Sequence, residues 1–152
     1  MQKQYNHILP GDQGPAPALI PLATEAKRNE AFRRTLWTGE QLQLTVMCLP
    51  PGEDIGTEVH PAFDQLLRVE EGLALVRFGP CRSAIRDVGR IGAGDVFLIP
   101  AGTYHNLINV GRGRLRLSSI YAPPVHERNT VHETKEDALR EEHVASHPGT
   151  KK

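Results

Sequence analysis

Two stretches of this chain concentrate side chains able to do chemistry. In the first, running from Gly52 through Glu58, His60 and Phe63 to Gln65, a carboxylate and an imidazole stand two residues apart. In an extended segment that spacing puts both on one face, with Val59 on the other. The short loop from Pro61 to Asp64 then lets Gln65 come back beside them. In the second stretch, Gly94 to Asn109, an apolar run ends at Pro100, a tight turn at Gly102 reverses the chain, and His105 opens the returning segment. Two imidazoles and one hard carboxylate oxygen, if brought together, form a donor set that leaves coordination positions open. Such a set suits one divalent transition metal: Fe, Mn, Ni, Zn or Co.

The elements that must position these groups read as short strands. Gly and Pro together make 26 of 152 residues and fall between apolar runs rather than in one block. Strands are expected over 41–49, 56–60, 65–70, 73–78, 95–99, 105–110 and 114–121, separated by turn signals such as Pro50-Pro51-Gly52, Glu71-Gly72 and Pro100-Ala101-Gly102. Short strands at this spacing predict an all-β sandwich or barrel. Over 41–49 the alternation puts Leu42, Leu44, Val46 and Cys48 on one face and Gln41, Gln43, Thr45 and Met47 on the other. Residues 10–22 form an extended, Pro-rich arm, since four prolines lack the donors a central strand needs. A short helical turn is expected between Glu25 and Arg34. Thr134, three residues before Asp137, signals the start of a lightly packed helix over 135–145, followed by a frayed end. The chain thus divides into an arm (1–30), a β-barrel (31–125) and a tail with its helix (126–152).

Composition narrows the function classes. Eighteen basic and eighteen acidic residues cancel, so no long-range positive field exists to hold nucleic acid or an anionic membrane. Arginine outnumbers lysine 13 to 5, which leaves single contacts to carboxylates open. Mean hydropathy is −0.39, no apolar run is long enough to span a bilayer, and the N-terminal stretch does not read as a signal peptide. Cys48 and Cys81 carry no metal-ligand spacing and are expected as free thiols in a reducing cytoplasm. Phosphate-binding glycine loops and nucleophile elbows are missing from the sequence.

The two stretches together resemble the cupin superfamily. Its second motif, G-x5-P-x-G-x2-H-x3-N, is matched at every fixed position by Gly94, Pro100, Gly102, His105 and Asn109. Its first, G-x5-H-x-H-x(3–4)-E-x6-G, is matched in spacing from Gly52 to Gly72, with Glu58 at the first His position, His60 at the second and Gln65 at the Glu position. A looser likeness to small single-domain cupins spans residues 29–135.

The resemblance implies a double-stranded β-helix, the cupin jelly-roll barrel, with one metal inside its mouth. Glu58, His60 and His105 are its expected ligands. Gln65 either binds through its amide oxygen or hydrogen-bonds to a bound water. The exchange of Glu and His positions keeps one carboxylate in the set. Asn109 is read as a strand-end hydrogen-bonding residue. Alternation puts Leu67, Val69 and Leu107 inside, with Leu67 expected to contact substrate, so the cavity is expected to be largely apolar. Phe63 and Tyr104 flank its mouth, as substrate contacts or as packing. Tyr121 and His126 reach the substrate if the tail crosses the opening. His7, His132, His143 and His147 sit in polar surroundings and need no function, and the charge run 133–142 reads as a solvated helix face. The expected function is a dioxygenase-like oxidoreductase on a small organic molecule, with Glu58 as base. The alternatives are a sugar or keto-acid isomerase, for which the interior offers no clear Arg, and a non-catalytic ligand-binding cupin. Cupins commonly pair through sheet edges and swapped arms, so a homodimer is expected.

Overall fold

The computed structural model describes residues 9–146. His7, His147 and the expected frayed end from 147 onward lie outside them, as does the side chain of His143. A short helix, α1 (Leu22–Arg28), leads into nine strands: β1 (Arg33–Thr38), β2 (Gln43–Leu49), β3 (Asp64–Glu71), β4 (Leu73–Gly79), β5 (Arg86–Gly92), β6 (Val96–Ile99), β7 (Tyr104–Asn109), β8 (Leu115–Ala122) and β9 (Val131–His132). Helix α2 (Lys135–Ser146) closes the described chain. The strands form a six-stranded sheet in the order β6-β3-β8-β2-β1-β9 and a three-stranded sheet in the order β5-β4-β7. This is a jelly roll, and the two sheets are not joined by strand pairing into a closed cylinder. The main core fills the space between them, with Met47, Leu49, Leu67, Val69, Leu107 and Leu117 all buried. Each such side chain contributes about 1.5–3 kcal/mol by leaving water.

Two expected elements differ, and strand β5 was not expected. The segment 25–34 is not one helical turn: α1 stops at Arg28 and β1 begins at Arg33. Residues 56–60 are not a regular strand. Gly56 takes φ = 85°, which interrupts extended pairing, and the segment runs beside β7 through separate bridges, Asp54 to Ile108 and Glu58 to His105. Strand β5, polar and largely exposed, carries no apolar alternation by which to be recognised.

Strand β2 is buried on both faces, and its polar face is the inner one. Cross-strand register sets Gln65, Tyr121 and Gln43 in one row and Leu67, Ser119, Thr45 and Thr35 in the next. A third row, apolar toward β3, joins Val69, Leu117 and Met47 to Arg33 and His132 at the β1–β9 edge. The outer residues Leu44 and Val46 pack with Leu36, Ile20, Leu22 and Ala26, under α1 and the arm. The arm stays on its own domain. Asp12 accepts from the backbone and hydroxyl of Thr38, Gln13 donates to the Leu36 carbonyl (2.8 Å), and the Trp37 indole donates to Ala16 (2.8 Å).

Helix α2 starts where expected, with Thr134 and Asp137 exchanging backbone-to-side-chain bonds of 3.0 and 3.2 Å. It packs more than lightly, because Ala138 enters the main core. At the opposite end of β7, Asn109 donates to the carbonyls of Leu49 and Gly113 and accepts from Gly111 N–H (3.0, 2.9 and 3.0 Å). Asn109→Ala leaves the buried Leu49 carbonyl unpaired and the Gly113 carbonyl and Gly111 N–H to water; at about 1–3 kcal/mol for an orphaned buried group, urea denaturation is expected to show a loss of roughly 2 kcal/mol. Metal content per folded chain is expected to stay unchanged.

Candidate metal centre

The candidate ligands come from two segments far apart in sequence, and backbone pairing unites them. Glu58 N–H donates to the His105 carbonyl and His105 N–H to the Glu58 carbonyl, both at 2.9 Å. Residues that exchange both bonds sit directly opposite and present their side chains on the same face. His60, two residues on from Glu58, shares that face. Its carbonyl accepts from Gly102 N–H at 2.9 Å, so the turn that launches β7 also holds His60. Gly102 takes φ = 81° there, a conformation that a side chain disfavours. The result is a cluster in which the ligand atoms of Glu58, His60 and His105 lie within 4.8 Å of one another.

The protonation states suit metal binding. His105 is fully buried and its Nδ1 lies 2.9 Å from the Thr103 carbonyl, so Nδ1 carries the proton and Nε2 presents a lone pair. Burial lowers the His105 pKa, outweighing the Thr103 bond and the Glu58 charge that would raise it. Burial alone would raise the Glu58 carboxyl. The close approach of the His60 imidazole, with Arg33 and His105 beside it, reverses this and holds it below the usual carboxylate value. Nε2 of His60 and of His105 approach one Glu58 oxygen at 3.5 and 3.7 Å. Both nitrogens are buried without a hydrogen-bond partner. A carboxylate with two imidazole nitrogens is a set that fits a divalent transition metal. Gln65, buried on β3, donates its amide nitrogen to Ser119 Oγ at 3.0 Å, and its Oε1 is unpartnered.

Beside this cluster lies a cavity of about 280 Å³. Glu58, His60, Tyr121 and His126 line it. Phe63, Leu67 and Tyr104, also expected to contact substrate, are not among the residues lining it. Leu67 is wholly buried in the core. Phe63 packs its ring 4.8 Å from that of His60. Tyr104 precedes His105 on β7, so it faces the other way, where Arg82 lies over its ring. Most of the cavity wall is apolar surface, as expected, though Glu127, Glu141 and Glu142 line it, and so do Arg33 and His132. Both are buried, and Arg33 lies 3.6 Å from Glu58. Arg33 escaped notice because 25–34 read as helical, whereas the alternation of β1 turns it inward. His132 belongs to a two-residue strand that has no sequence signature, and its Nε2 pairs with Glu141 of α2. The run 133–142 is therefore not wholly a solvated face: Ala138 and Glu141 close one side of the cavity.

Fold and site together define a jelly roll with a candidate metal centre, and comparison with known proteins supports the fold. Residues 45–121 match the cupin domain family, "Cupin domain". The chain is 44% identical over 136 residues to the uncharacterized protein YrkC of Bacillus subtilis, covering 90% of this chain and 73% of YrkC. It is 35% identical over 109 residues to the uncharacterized protein L612 of Acanthamoeba polyphaga mimivirus, covering 71% of this chain and 66% of L612. The crystal structure of BH2720 from Bacillus halodurans superposes with a TM-score of 0.84 at 50% identity, covering 86% of this chain and 98% of that one. This chain belongs to the cupin family. Among the described residues no helix is long and apolar enough to cross a membrane.

His126 supplies a pH test. Its burial, reinforced by the charge of Arg33 and against the pull of Glu58, lowers its pKa to about 3. An unfolded imidazole takes its proton near 6.5. Between those values the unfolded chain binds one proton more, so stability rises with pH and is lost as acid is added. For metal-free protein, urea midpoints are expected to fall from about pH 6.5 to about pH 5, and His126→Gln is expected to flatten that slope by up to ~1.4 kcal/mol per pH unit.

Proposed function

We propose that this chain is a metal-dependent enzyme acting on a small organic molecule, a dioxygenase-like oxidoreductase. One observation carries the reading: two buried, unpartnered imidazole nitrogens and an ionised carboxylate converge beside a cavity. Glu58, His60 and His105 would hold the metal, with the Gln65 amide oxygen as a further donor. The metal, when bound, supplies Lewis acidity at a substrate oxygen and open positions for a bidentate substrate and O2. The chain's own groups do the rest. Glu58 is the base that takes a proton from an enol or phenol onto a carboxylate oxygen. The buried Tyr121 phenol, whose pKa burial raises, stays protonated and can donate a hydrogen bond. The α2 side of the cavity limits water.

A second reading, isomerisation through an enediolate, gains support from Arg33, the interior cation that such chemistry requires. Oxygen uptake with a panel of diketones and catechols separates the two. Consumption of O2 supports the oxidoreductase, whereas exchange of substrate protons with D2O without O2 uptake supports the isomerase. The same reading takes the protein as cytoplasmic, with Cys48 and Cys81 as free thiols, and as a homodimer, which a monomeric elution volume would overturn.

Elemental analysis of protein purified without an affinity tag tests the centre itself. Removing one imidazole from a three-residue set is expected to reduce bound metal by at least about tenfold in His60→Ala and in His105→Ala, by analogy with the cost of disturbing ligand shells. Unchanged metal in both variants would remove every function built on this site.

A further inference from the structure

One buried side chain ties the loop after β8 to the rest of the molecule. Val125, His126 and Glu127 of that loop form part of the cavity wall. Gln43, which opens β2, is wholly buried. Its Oε1 accepts from the backbone N–H of Val125 (3.1 Å) and of His126 (2.9 Å). Its Nε2 donates to the His126 carbonyl (2.7 Å) and to Thr38 Oγ1 (2.9 Å). A carboxamide has two acceptor lone pairs and two donors, so all four are in use.

The hold extends to the arm. The Thr38 hydroxyl donates in turn to Asp12, whose carboxylate also accepts from the backbone N–H of Thr38 and of Gly14, each at 2.9 Å. The backbone of Asp12 then grips the far end of the same loop. Its N–H donates to Asn129 Oδ1 (2.9 Å), and its carbonyl accepts from Arg128 (3.3 Å). The loop is thus fixed near His126 by Gln43 and near Asn129 by the arm.

These bonds fall where they set a side chain. Three of the four made by Gln43 land on two consecutive residues, and the second of these is the one whose ring enters the cavity. That ring lies edge-on to Tyr121, with centroids 5.3 Å apart, and its Nε2 is buried without a hydrogen-bond partner. Leaving such a nitrogen unpaired is costly unless a ligand or a water completes it. His126 is not among the candidate metal ligands, yet it shares the cavity with two of them, Glu58 and His60. A neutral imidazole there offers a ligand a hydrogen bond without adding charge. We propose that Gln43 is a positioning residue of this site, holding His126 in the cavity wall to contact the substrate, and that Asp12 makes the N-terminal arm part of the same device. That a substrate occupies the cavity rests on the function proposed above. The dependence of His126 on Gln43 and Asp12 does not.

NMR titration of the histidine rings in chelator-treated protein tests the positioning. The groups facing His126 are Arg33 on β1, Glu58 and His60 ahead of β3, Tyr121 on β8 and His132 on β9. In wild type, burial and the Arg33 charge hold the His126 pKa at about 3, so the ring is expected to stay neutral from about pH 8 to about pH 5. Gln43→Ala is expected to release it to water and bring its midpoint close to the ordinary value of about 6.5. Gln43→Met, of similar length but unable to make these bonds, carries the test if Gln43→Ala does not fold. Asp12→Ala is expected to shift His126 in the same direction. Trp37→Phe cuts a different bond to the arm, that to Ala16, and is expected to leave His126 neutral. An unmoved His126 in the folded Gln43 variant, or an equal shift in Trp37→Phe, overturns the proposal, and an unmoved His126 in Asp12→Ala overturns the role of the arm. On zinc-loaded protein, calorimetry with acetylacetone is expected to show affinity falling about fivefold in Gln43→Ala and in His126→Ala, the worth of one neutral hydrogen bond. The double variant is expected to lose no more than either alone, because both act through one contact, and additive losses overturn that contact. Release of His126 by Gln43→Ala in protein that takes up no zinc supports the positioning and sinks the metal reading. Zinc uptake with an unmoved His126 does the reverse.

Discussion

Two hydrogen bonds exchanged between the backbones of Glu58 and His105 hold the rest of the site in place. They fasten an irregular segment, interrupted at Gly56, to the first turn of β7. Because the pair is of the type that exchanges both bonds, register alone makes the two side chains neighbours, and His60 follows from strand periodicity. A shift of one residue in this pairing would turn the carboxylate or the imidazole to the opposite face. The Gly102 turn and its bond to His60 protect that register from the far side.

The interior is graded rather than uniformly apolar. Toward the turns that carry His60 and His105, the inner face of the large sheet bears Gln65, Tyr121, Gln43, Ser119 and Thr45. The next row carries Val69, Leu117 and Met47, with Leu49 beyond, and ends in Arg33 and His132 at the β1–β9 edge. The apolar half supplies the driving force for folding, and the polar half forms a network around charged groups that could not be buried without it. The outer face of the same sheet does not bear the usual solvent-facing polarity, because α1 and the arm cover it. Glu25, wholly buried beneath them, is matched by Arg34 at 3.1 Å. A small domain thereby gains a second apolar cluster outside its barrel.

How much of this could be read in advance depended on whether the signal was local. The glycine and proline punctuation around Gly94, Pro100 and Gly102 specifies a strand, a reversal and a returning strand, so His105 could be placed at the start of β7. The two-residue spacing of Glu58 and His60 likewise fixes a shared face wherever the backbone is extended. Arg33, by contrast, sits in a stretch whose composition reads as helix, and only pairing with β2 on one side and β9 on the other makes it a strand. His132 and Glu141 reach the cavity because the chain returns after Pro124, a path that no local pattern encodes. Tyr104 and Leu67 were drawn toward the mouth by their nearness in sequence to ligands, yet alternation and depth place them elsewhere.

The sequence by itself determined the kind of domain, the turns that shape it and the donor chemistry of Glu58, His60 and His105. These follow from backbone preferences of glycine and proline and from periodicity, which act over a few residues. Tertiary structure alone decided that the cavity is charged, which histidines border it, and that an arginine edge is left unpaired inside. Those are properties of side chains from β1, β9 and α2 meeting across the fold, and burial and pairing at such distances have no representation in local spacing.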